Sequence, residues 1–459
     1  MYHRLLHYGY RLATATERWV LRRFTWAGYF VLFALTVSAG FGLDTNLTMA
    51  YQSFTFLLSL LLISIAWSVL RMPHPLLYRR GASGFAARRI LPRFGTVGVP
   101  LNYQVVIRNG TSRKQGGLLL LEDMADPRPT FREFSAARDE GGRRRNWLDR
   151  MFGYARWTRL VARRLVARVK EQLLPMIAPE GETELTIEML PARRGHVRFT
   201  GMTVARVDLF GLFKSFTHIP VPQSFLVLPR RYFLPPIDLA GTRQYQQGGV
   251  SLASAVGESD EFVALRDYRP GDPLRRIHWK SWARTGKPVV KEYQDEFFVR
   301  HALILDTFVT GVGDEIFEEA VAVAASFACT IQTQDSLLDL MFVGDQAYCF
   351  TAGRGLAHTD QMLEILASVN ACADKKFDSL KTLVLRHVSS VSGCICILLA
   401  WDDERKHFVE FLKSLSVPLR VLVVTEDGGK DLDPGPMKNQ PECFHHLRVG
   451  RVEEALAAI

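Results

Sequence analysis

The chain has 459 residues, of which 23% are charged, and its formal net charge is +10. This length excludes a protein built on a single hydrophobic core and predicts two or three folding units. The positive charge leaves nucleic acid, anionic lipid and acidic protein open as partners, so its distribution along the chain has to decide between them.

Two long apolar stretches follow a basic N-terminal segment, residues 1–23. No charged residue occurs from Phe24 to Leu43, and about twenty helical residues span the roughly 30 Å hydrocarbon core of a bilayer. After a short turn, a second apolar stretch extends from Phe54 to Leu70. The pattern predicts a transmembrane helical hairpin over residues 24–71, and it disfavours both a cleaved signal peptide and a buried soluble hairpin.

The placement of arginine predicts how this hairpin is oriented. Arginines flank both outer ends of the hairpin, whereas the connecting loop carries only Asp44. Because basic flanks stay on the cytoplasmic side, we expect a multi-pass protein of the cell (inner) membrane with both termini and its soluble domains in the cytoplasm. Trp19, Trp26 and Trp67 stand where interfacial anchors belong. The flanking arginines are Arg4, Arg11, Arg18, Arg22, Arg23, Arg71, Arg79 and Arg80.

The next region, residues 86–235, changes to a period of two. Apolar and polar residues alternate in Leu185–Met189, and turn signals such as Asn109-Gly110 and Arg194-Gly195 separate the strand-like runs. These features predict a small antiparallel β-sandwich-like domain.

One basic segment, residues 143–174, interrupts the strand pattern. Its apolar residues recur at three- and four-residue steps opposite a basic face, which predicts an amphipathic helical insert. The helix either rests on anionic headgroups or packs on the sandwich with its basic face in solvent, and the sequence leaves both open. Nucleic acid is not expected, since no aromatic stacking platform accompanies the charge. The membrane-surface candidates are Arg145, Arg156, Arg159, Arg163 and Arg164.

The densest motif lies in residues 236–299. Asp272 and Pro273 have the pattern of an N-cap and first-turn proline, and Gly286 stands just past the predicted end, so we expect a helix from Pro273 to about Arg284. Arg276, Lys280 and Arg284 would line one stripe of it, with Arg275 and Trp279 beside them.

The stripe has two interpretations, an anion or acidic-partner site and an internal ionic network with nearby acidic residues. The partner-binding candidates are therefore Asp272, Arg275, Arg276, Trp279, Lys280 and Arg284. The acidic residues of the network interpretation are Glu258, Asp260, Glu261 and Asp267. An enzyme alternative, a metal-dependent phosphoesterase-like hydrolase using Asp260, Asp272 and Lys280 or the Asp306 loop, stays open, although the chain has no phosphate loop, His-Glu-x-x-His motif or nucleophile elbow.

The run G-E-x-D-E-F-x-x-L-R-D-Y-x-P-G-D-x-x-R-x-I-H-W-K-x-x-A-R, residues 257–284, resembles the signature of domain-of-unknown-function family 58. The apolar pair, the preceding β segment with Arg193-Arg194-Gly195 and Asp208–Phe213, and the following α/β region fit the same layout. The resemblance implies a von Willebrand factor A-like C-terminal domain. It also implies an association with a MoxR-type AAA+ ATPase and a transglutaminase-like membrane protein.

Residues 300–459 alternate apolar strands, such as Leu419–Thr425, with amphipathic helices, such as those that begin at Asp314 and Thr359. This order predicts a doubly wound, largely parallel sheet. Ligands of such sheets bind beyond the carboxyl ends of the strands, where Asp306 and Asp402 stand. The resemblance implies an Mg²⁺ site there, with Asp306, Thr310 and Asp402 as candidate ligands. The side chain of Phe308 offers no oxygen at a position where the family pattern has a serine hydroxyl, and Asp306 has an alternative role as the cap of the next helix.

All six cysteines fall in the C-terminal third, mostly within apolar runs. They are expected to be reduced core thiols, and no second Cys or His pair gives Cys394-x-Cys396 a zinc-finger spacing. The complete fold expectation is a multidomain protein with two N-terminal transmembrane α-helices, an antiparallel β-sandwich-like domain with a basic helical insert, and a C-terminal α/β domain. The expected function is that of a membrane-anchored, non-enzymatic interaction or assembly factor, with the lipid bilayer among its partners and no required cofactor.

Overall fold

The computed structural model forms two compact units, Met1–Arg230 and Arg231–Ile459. It describes residues 2–42, 48–70, 84–136, 152–235, 262–272, 274–293, 299–309, 314–331, 336–353, 359–372, 374–388, 391–426 and 432–459.

Three helices open the first unit: α1 (Tyr2–Arg23), α2 (Trp26–Gly42) and α3 (Thr48–Leu70). Among the described residues, one helical stretch, Met49–Trp67, is long and apolar enough to cross a membrane, and only 11% of it is buried. A shorter apolar stretch, Trp26–Gly40, precedes it, and α2 and α3 pack against each other.

The start of the first apolar helix differs from the expectation. We predicted a crossing from Phe24, but α2 begins at Trp26 because Phe24 forms a bridge with Phe213 and the Thr25 hydroxyl accepts a hydrogen bond from the Gly28 amide. Its 17 residues correspond to about 26 Å of helix, somewhat short of a full hydrocarbon core. The N-terminal segment is itself a helix that packs on the rest of the unit.

The rest of the first unit is a β-sandwich, as expected. Apolar side chains of the two sheets meet in one core, which includes Ile107, Leu120, Ile187 and Val227. The pairings are antiparallel except that of β10 with β2. One sheet has the order β1-β3-β7-β5, and the other has the order β2-β10-β8-β4-β6 with β9 beside β8. The strands are β1 (Phe85–Ile90), β2 (Phe94–Thr96), β3 (Leu101–Asn109), β4 (Leu118–Met124), β5 (Ala167–Val169), β6 (Gln172–Leu173), β7 (Glu182–Pro191), β8 (Gly195–Val207), β9 (Lys214–Ile219) and β10 (Gln223–Leu228).

The basic insert is less helical than predicted. Within its described part, the helix α5 extends from Tyr154 to Arg164, and the chain then forms β5 and β6. Val169 and Leu173, which we expected on the helix, pair instead with Met189 and Leu119. Strand pairing overrides the helical period here because these positions lie beside β7 and β4, whose outer backbone groups would otherwise be unpaired. A short helix, α4 (Phe131–Ala136), packs beside α5.

The second unit begins with the antiparallel pair β11 (Phe262–Asp267) and β12 (Val289–Tyr293). Between them lie a 3-10 turn, Leu274–Arg276, and the helix α6 (Trp279–Thr285). The predicted end at Gly286 is confirmed, since Gly286 caps α6 in the left-handed conformation with φ of 72°.

The predicted start of this helix is wrong. Pro273 lies outside the described residues, and α6 begins only at Trp279. The cause is Ile277, which bridges to Val290, together with the His278 amide, which donates to the Val289 carbonyl at 2.8 Å. These contacts keep the chain extended and prevent a continuous helix.

A six-stranded sheet with the order β15-β14-β13-β16-β17-β18 forms the body of the second unit. Every pairing is parallel except that of β14 with β15, so the largely parallel sheet is confirmed. The helices α9 and α10 cover one face, and α7 contacts strands β13, β16 and β17. The elements are β13 (Val299–Leu305), α7 (Asp314–Thr330), β14 (Ser336–Val343), β15 (Ala347–Ala352), α8 (Thr359–Ser368), α9 (Asp378–His387), β16 (Gly393–Leu398), α10 (Asp403–Ser414), β17 (Leu419–Thr425), β18 (Phe444–Arg448) and α11 (Val452–Ala457).

Candidate functional site

In the first unit, the apolar helices are joined to the β-sandwich through the turn between β8 and β9, residues 208–213. We call this contact the helix–turn junction. The Thr25 amide donates to the Leu212 carbonyl at 3.1 Å, and the Thr25 hydroxyl donates to the Gly211 carbonyl. Gly28 permits this close approach, because a Cβ there would collide with the Leu212 carbonyl oxygen.

Asp208 organises the same turn with its carboxylate. One oxygen accepts hydrogen bonds from the Leu212 amide at 2.7 Å and from the Phe213 amide at 3.0 Å. The other oxygen accepts a hydrogen bond from the Ser64 hydroxyl of α3. Phe24 and Phe213 pack edge to face with ring centroids 5.2 Å apart. The turn is therefore tied to α2 through its backbone and to α3 through a side-chain carboxylate.

The described arginines of α5 have protein contacts. Arg164 forms an ion pair with Glu133 and donates to the Arg128 carbonyl at 2.6 Å, and Arg156 lies over the Phe134 ring with 5.6 Å between the guanidinium carbon and the centroid. Trp157 of the same helix is buried. The interpretation as a helix packed on the domain therefore fits Arg156 and Arg164.

A basic groove opens between the end of α1, the residues after α5 and β8, and the predicted candidates Arg163 and Arg164 line it. Arg23, Arg168 and Arg198 line the same groove. In the part of the chain that the structure describes, no carboxylate lies within ion-pair distance of these three side chains. The groove thus keeps an excess of positive charge. Of the other two predicted residues, Arg159 lies on α5 and Arg145 lies outside the described residues.

The signature segment exposes a cationic and aromatic surface. Trp279 is 64% exposed and stacks on Trp282 with ring centroids 5.2 Å apart, and Leu274 is 68% exposed. Lys280 and Arg284 are exposed on the same helix, α6, and we call these four residues, Leu274, Trp279, Lys280 and Arg284, the α6 surface. Arg275 is also exposed, whereas Arg276 lies in the 3-10 turn and not on the helix. Of the predicted stripe of Arg276, Lys280 and Arg284, the helix therefore carries only Lys280 and Arg284.

Asp272 does not cap a helix. Its carboxylate accepts hydrogen bonds from both terminal nitrogens of Arg266 and from the Arg269 amide, each at 2.8 Å. Asp272 therefore closes the turn that follows β11. The Arg266 side chain and the Arg269 amide lower the pKa of Asp272 to about 2. A carboxyl group this acidic is a poor general base near neutral pH. Asp260, Glu258 and Glu261 lie outside the described residues.

Asp306 and Asp402 meet at the carboxyl edge of the sheet, with an arginine between them. The Arg405 Nε donates to Asp306 Oδ2 at 2.6 Å, its Nη1 donates to Asp402 Oδ2, and its Nη2 donates to the Phe308 carbonyl at 3.0 Å. Burial raises the pKa of Asp306, and the Arg405 guanidinium and two backbone amides oppose that rise. We call Asp306, Asp402 and Arg405 the Arg405 cluster.

The Arg405 cluster does not fit a bound Mg²⁺. The guanidinium takes up the carboxylate oxygens that a hard cation would need, Phe308 offers a backbone oxygen that Arg405 already uses, and Thr310 lies outside the described residues. Among the described residues, no group of three or more His, Cys, Asp and Glu side chains forms a metal site. The Asp402 carboxylate accepts the Arg405 amide at 3.0 Å and so caps α10.

Sequence reasoning missed Arg405 and Ser64. Arg405 follows Asp402 by three residues in the first turn of a helix, which is a recognisable spacing for an ion pair. Ser64 gave no signal, since serine is common in apolar helices. All six cysteines are free, and Cys372, Cys394 and Cys396 are buried as expected, whereas Cys349 and Cys443 are half-buried and Cys329 is exposed. Burial raises the pKa of Cys394 to about 12.

Residues 264–391 match the family model of Protein of unknown function DUF58. The matched range begins in β11, contains α6 and Asp306, and ends before β16, so it does not include Arg405.

A curated relative, the uncharacterized protein YeaD of Bacillus subtilis (strain 168), is 26% identical over 185 residues. The aligned part is 40% of this chain and 45% of the relative, so the chain spans less than half of that protein. Solved structures with partial similarity include the CARDB domain of PF1109 from Pyrococcus furiosus, at 11% identity over 30% of this chain and 94% of that chain, with a TM-score of 0.15. A PapD-like domain of human CEP192 gives 12% identity over 33% of this chain and 89% of that chain, with a TM-score of 0.18. Scores at this level carry no argument about fold.

Proposed function

We propose that this protein is a membrane-anchored, non-enzymatic interaction or assembly factor of the inner membrane. In this proposal α2 and α3 cross the bilayer as a pair, both termini lie in the cytoplasm, and the α/β unit is the docking domain. By the family resemblance, the partners are a MoxR-type AAA+ ATPase and a transglutaminase-like membrane protein.

The helix–turn junction is the observation that carries the membrane part of the proposal. Apolar side chains cover the outside of α2 and α3, for example Phe30, Phe33 and Phe56, each at least 67% exposed. Exposed apolar surface of this size is unfavourable in water and favourable in lipid. Because Thr25 and Ser64 bond to the β8–β9 turn, anchoring the helices also fixes the β-sandwich at the membrane.

The basic groove supports contact with the membrane surface. It lies at the C-terminal end of α1, directly before the first apolar helix, and it includes Arg23 and Arg163. Anionic headgroups contribute on the order of 1 kcal/mol for each basic residue near the surface. We propose that the arginines of this groove face the headgroups of the cytoplasmic leaflet.

The α6 surface is the proposed docking surface for an acidic partner. Tryptophan and arginine are enriched where interfaces gain most of their binding energy, and Lys280 and Arg284 supply charge complementarity to an acidic partner. The partly parallel sheet, with Asp306 at the end of its first strand, supports a von Willebrand factor A-like domain as part of the proposal.

The first experiment tests anchoring. The full chain with a C-terminal tag is expressed in a bacterium, and the membranes are washed with alkaline carbonate. We expect the protein to stay in the membrane pellet and the tag to be cut only after the cytoplasmic side is opened to protease. Extraction by carbonate, or cleavage of the tag from outside intact cells, would overturn the proposal.

The second experiment tests docking. Binding of a MoxR-type AAA+ ATPase to the full chain in nanodiscs is compared for the wild type, the double variant Lys280→Glu with Arg284→Glu, and the control Lys376→Glu. Lys376 is exposed on the same unit, outside α6. We expect roughly a tenfold or greater loss of affinity from the double variant alone, since each like-charge contact costs on the order of 1 kcal/mol. Equal affinities for all three proteins would remove the α6 surface from the interface.

A further inference from the structure

We propose that Leu209 and Phe210, at the tip of the β8–β9 turn, insert into the bilayer and form a lipid anchor separate from the helices. This inference rests on the proposed membrane anchoring of α2 and α3. The helix–turn junction accounts for Leu212 and Phe213 of the segment Asp208–Phe213. The inference gives a role to its other two apolar residues, Leu209 and Phe210.

The contact between Asp208 and Ser64 fixes the position of the β8–β9 turn along the axis of α3. Ser64 lies three residues before Trp67, the last residue of the apolar stretch Met49–Trp67. At 1.5 Å per residue, the Asp208 carboxylate therefore lies about 5 Å inside the end of that stretch. The tip of the turn is thus beside the apolar part of α3 and not beyond it.

The contact with α2 gives the same level independently. Thr25 and Gly28, at the first turn of α2, meet Leu212 and Gly211, and the neighbouring Trp26 is 91% exposed. A tryptophan at the end of an apolar helix belongs to the membrane interface. Because the chain reverses between α2 and α3, the start of one and the end of the other lie on the same side of the bilayer.

At this level the tip presents apolar side chains outward. Leu209 is 65% exposed and Phe210 is 46% exposed, while Asp208, Leu212 and Phe213 hold the base of the turn. Gly211 adopts a positive φ of 71°, which allows the tight turn. Apolar groups held at the edge of a hydrocarbon layer are driven into it. The bilayer is therefore the occupant of this surface, since the turn continues the proposed lipid contact of α2 and α3.

The test uses the photo-crosslinking amino acid benzoylphenylalanine at position 209 or 210 of the full chain. The chain is reconstituted in nanodiscs of equal parts phosphatidylcholine and phosphatidylglycerol, and lipid adducts are measured by mass spectrometry after illumination. Because both side chains are exposed, the replacements leave the core intact. We expect lipid adducts at 209 and 210 at least about tenfold above those at the control position.

The control position is Val99, which is 55% exposed in the turn after β2. It lies near the Gly195 end of β8, and the 13 residues of that strand separate it from the β8–β9 turn by roughly 40 Å. Adducts at 209 and 210 no higher than at 99, in a chain that resists carbonate, would overturn the inference and leave the proposed anchoring intact. A chain that carbonate extracts would overturn both.

Discussion

Each unit of the molecule contains a buried arginine–carboxylate pair, and the two pairs are built differently. In the β-sandwich, Arg89 and Glu122 form an ion pair at 2.5 Å with side chains 0% and 2% exposed. The Tyr103 hydroxyl donates to Glu122 at 2.9 Å, and the Arg89 guanidinium carbon lies 4.0 Å from the centroid of the Phe199 ring. We call this pair the closed pair, because the groups that bond to its two side chains all lie inside the β-sandwich domain.

In the α/β unit, the pair of Arg405 and Asp306 continues to the surface. The side chains of Arg405 and Asp306 are 6% and 0% exposed, but Asp402, the second partner of Arg405, is 49% exposed. The Arg405 cluster also lies at the carboxyl edge of a parallel sheet, where such folds bind ligands. In the β-sandwich, the buried guanidinium neutralises an interior carboxylate. In the α/β unit, the buried guanidinium takes the place of a metal cation at the edge where such sheets bind ligands.

The largest effect is expected when the closed pair is broken. Arg89→Ala leaves the Glu122 carboxylate buried without its cation and removes the packing on Phe199, so we expect a loss of about 4 kcal/mol in the free energy of unfolding. Denaturant unfolding of the full chain in detergent measures it. The matched control is Arg89→Met with Glu122→Leu, which removes both charges and should cost far less. A small loss from Arg89→Ala would show that the pair is less closed than its geometry indicates.

A somewhat smaller and pH-dependent effect is expected at the Arg405 cluster. Arg405→Met should lower the free energy of unfolding by about 3 kcal/mol near neutral pH, because Asp306 loses its buried cation. The loss is smaller than for Arg89→Ala because water partly solvates the second carboxylate, Asp402. Burial raises the pKa of Asp306, and without Arg405 only the backbone amides of Phe308 and Leu399 oppose that rise. A group with a raised folded-state pKa contributes stability that is full below its unfolded pKa, about 4, and is lost as pH rises through the folded pKa.

The penalty of Arg405→Met should therefore grow between pH 4 and pH 8. Unfolding measured across this range, relative to the wild type, checks the slope. Adding Asp306→Asn to Arg405→Met should flatten the dependence, since the titrating group is then absent. A penalty that is constant with pH would contradict the assignment to Asp306.

The smallest effect concerns Mg²⁺. With a guanidinium between Asp306 and Asp402, millimolar Mg²⁺ should change the melting temperature of the wild type by less than about 1 °C, because a ligand that gains no site on the folded state adds no stability. Thermal melts with and without the ion measure it, with Ca²⁺ as a second cation. A clear saturable shift would revive the metal hypothesis and show that Arg405 can leave its carboxylates.

Sequence periodicity was sufficient for most of the α/β unit. The strand Leu419–Thr425 was predicted at its observed bounds, and the helices at Asp314 and Thr359 begin where expected. Fully apolar strands between amphipathic helices leave few alternatives, because burial on both sides of a sheet removes polar residues from the pattern. The same logic failed in the basic insert, where Val169 and Leu173 obey a helical period but pair as strands.

Some features of the candidate site residues follow from the sequence, and others depend on the tertiary structure. The chain alone determines that Asp306 and Asp402 follow buried strands and that Lys280 and Arg284 share one helix face, since these facts depend on local order and spacing. The tertiary structure alone decides that Arg405 stands between the two carboxylates, because its side chain reaches across 99 residues of sequence to Asp306. It likewise decides that Asp208 meets Ser64 over a separation of 144 residues. Local pattern encodes which face of an element is apolar, whereas the partner of a polar group depends on which elements pack together.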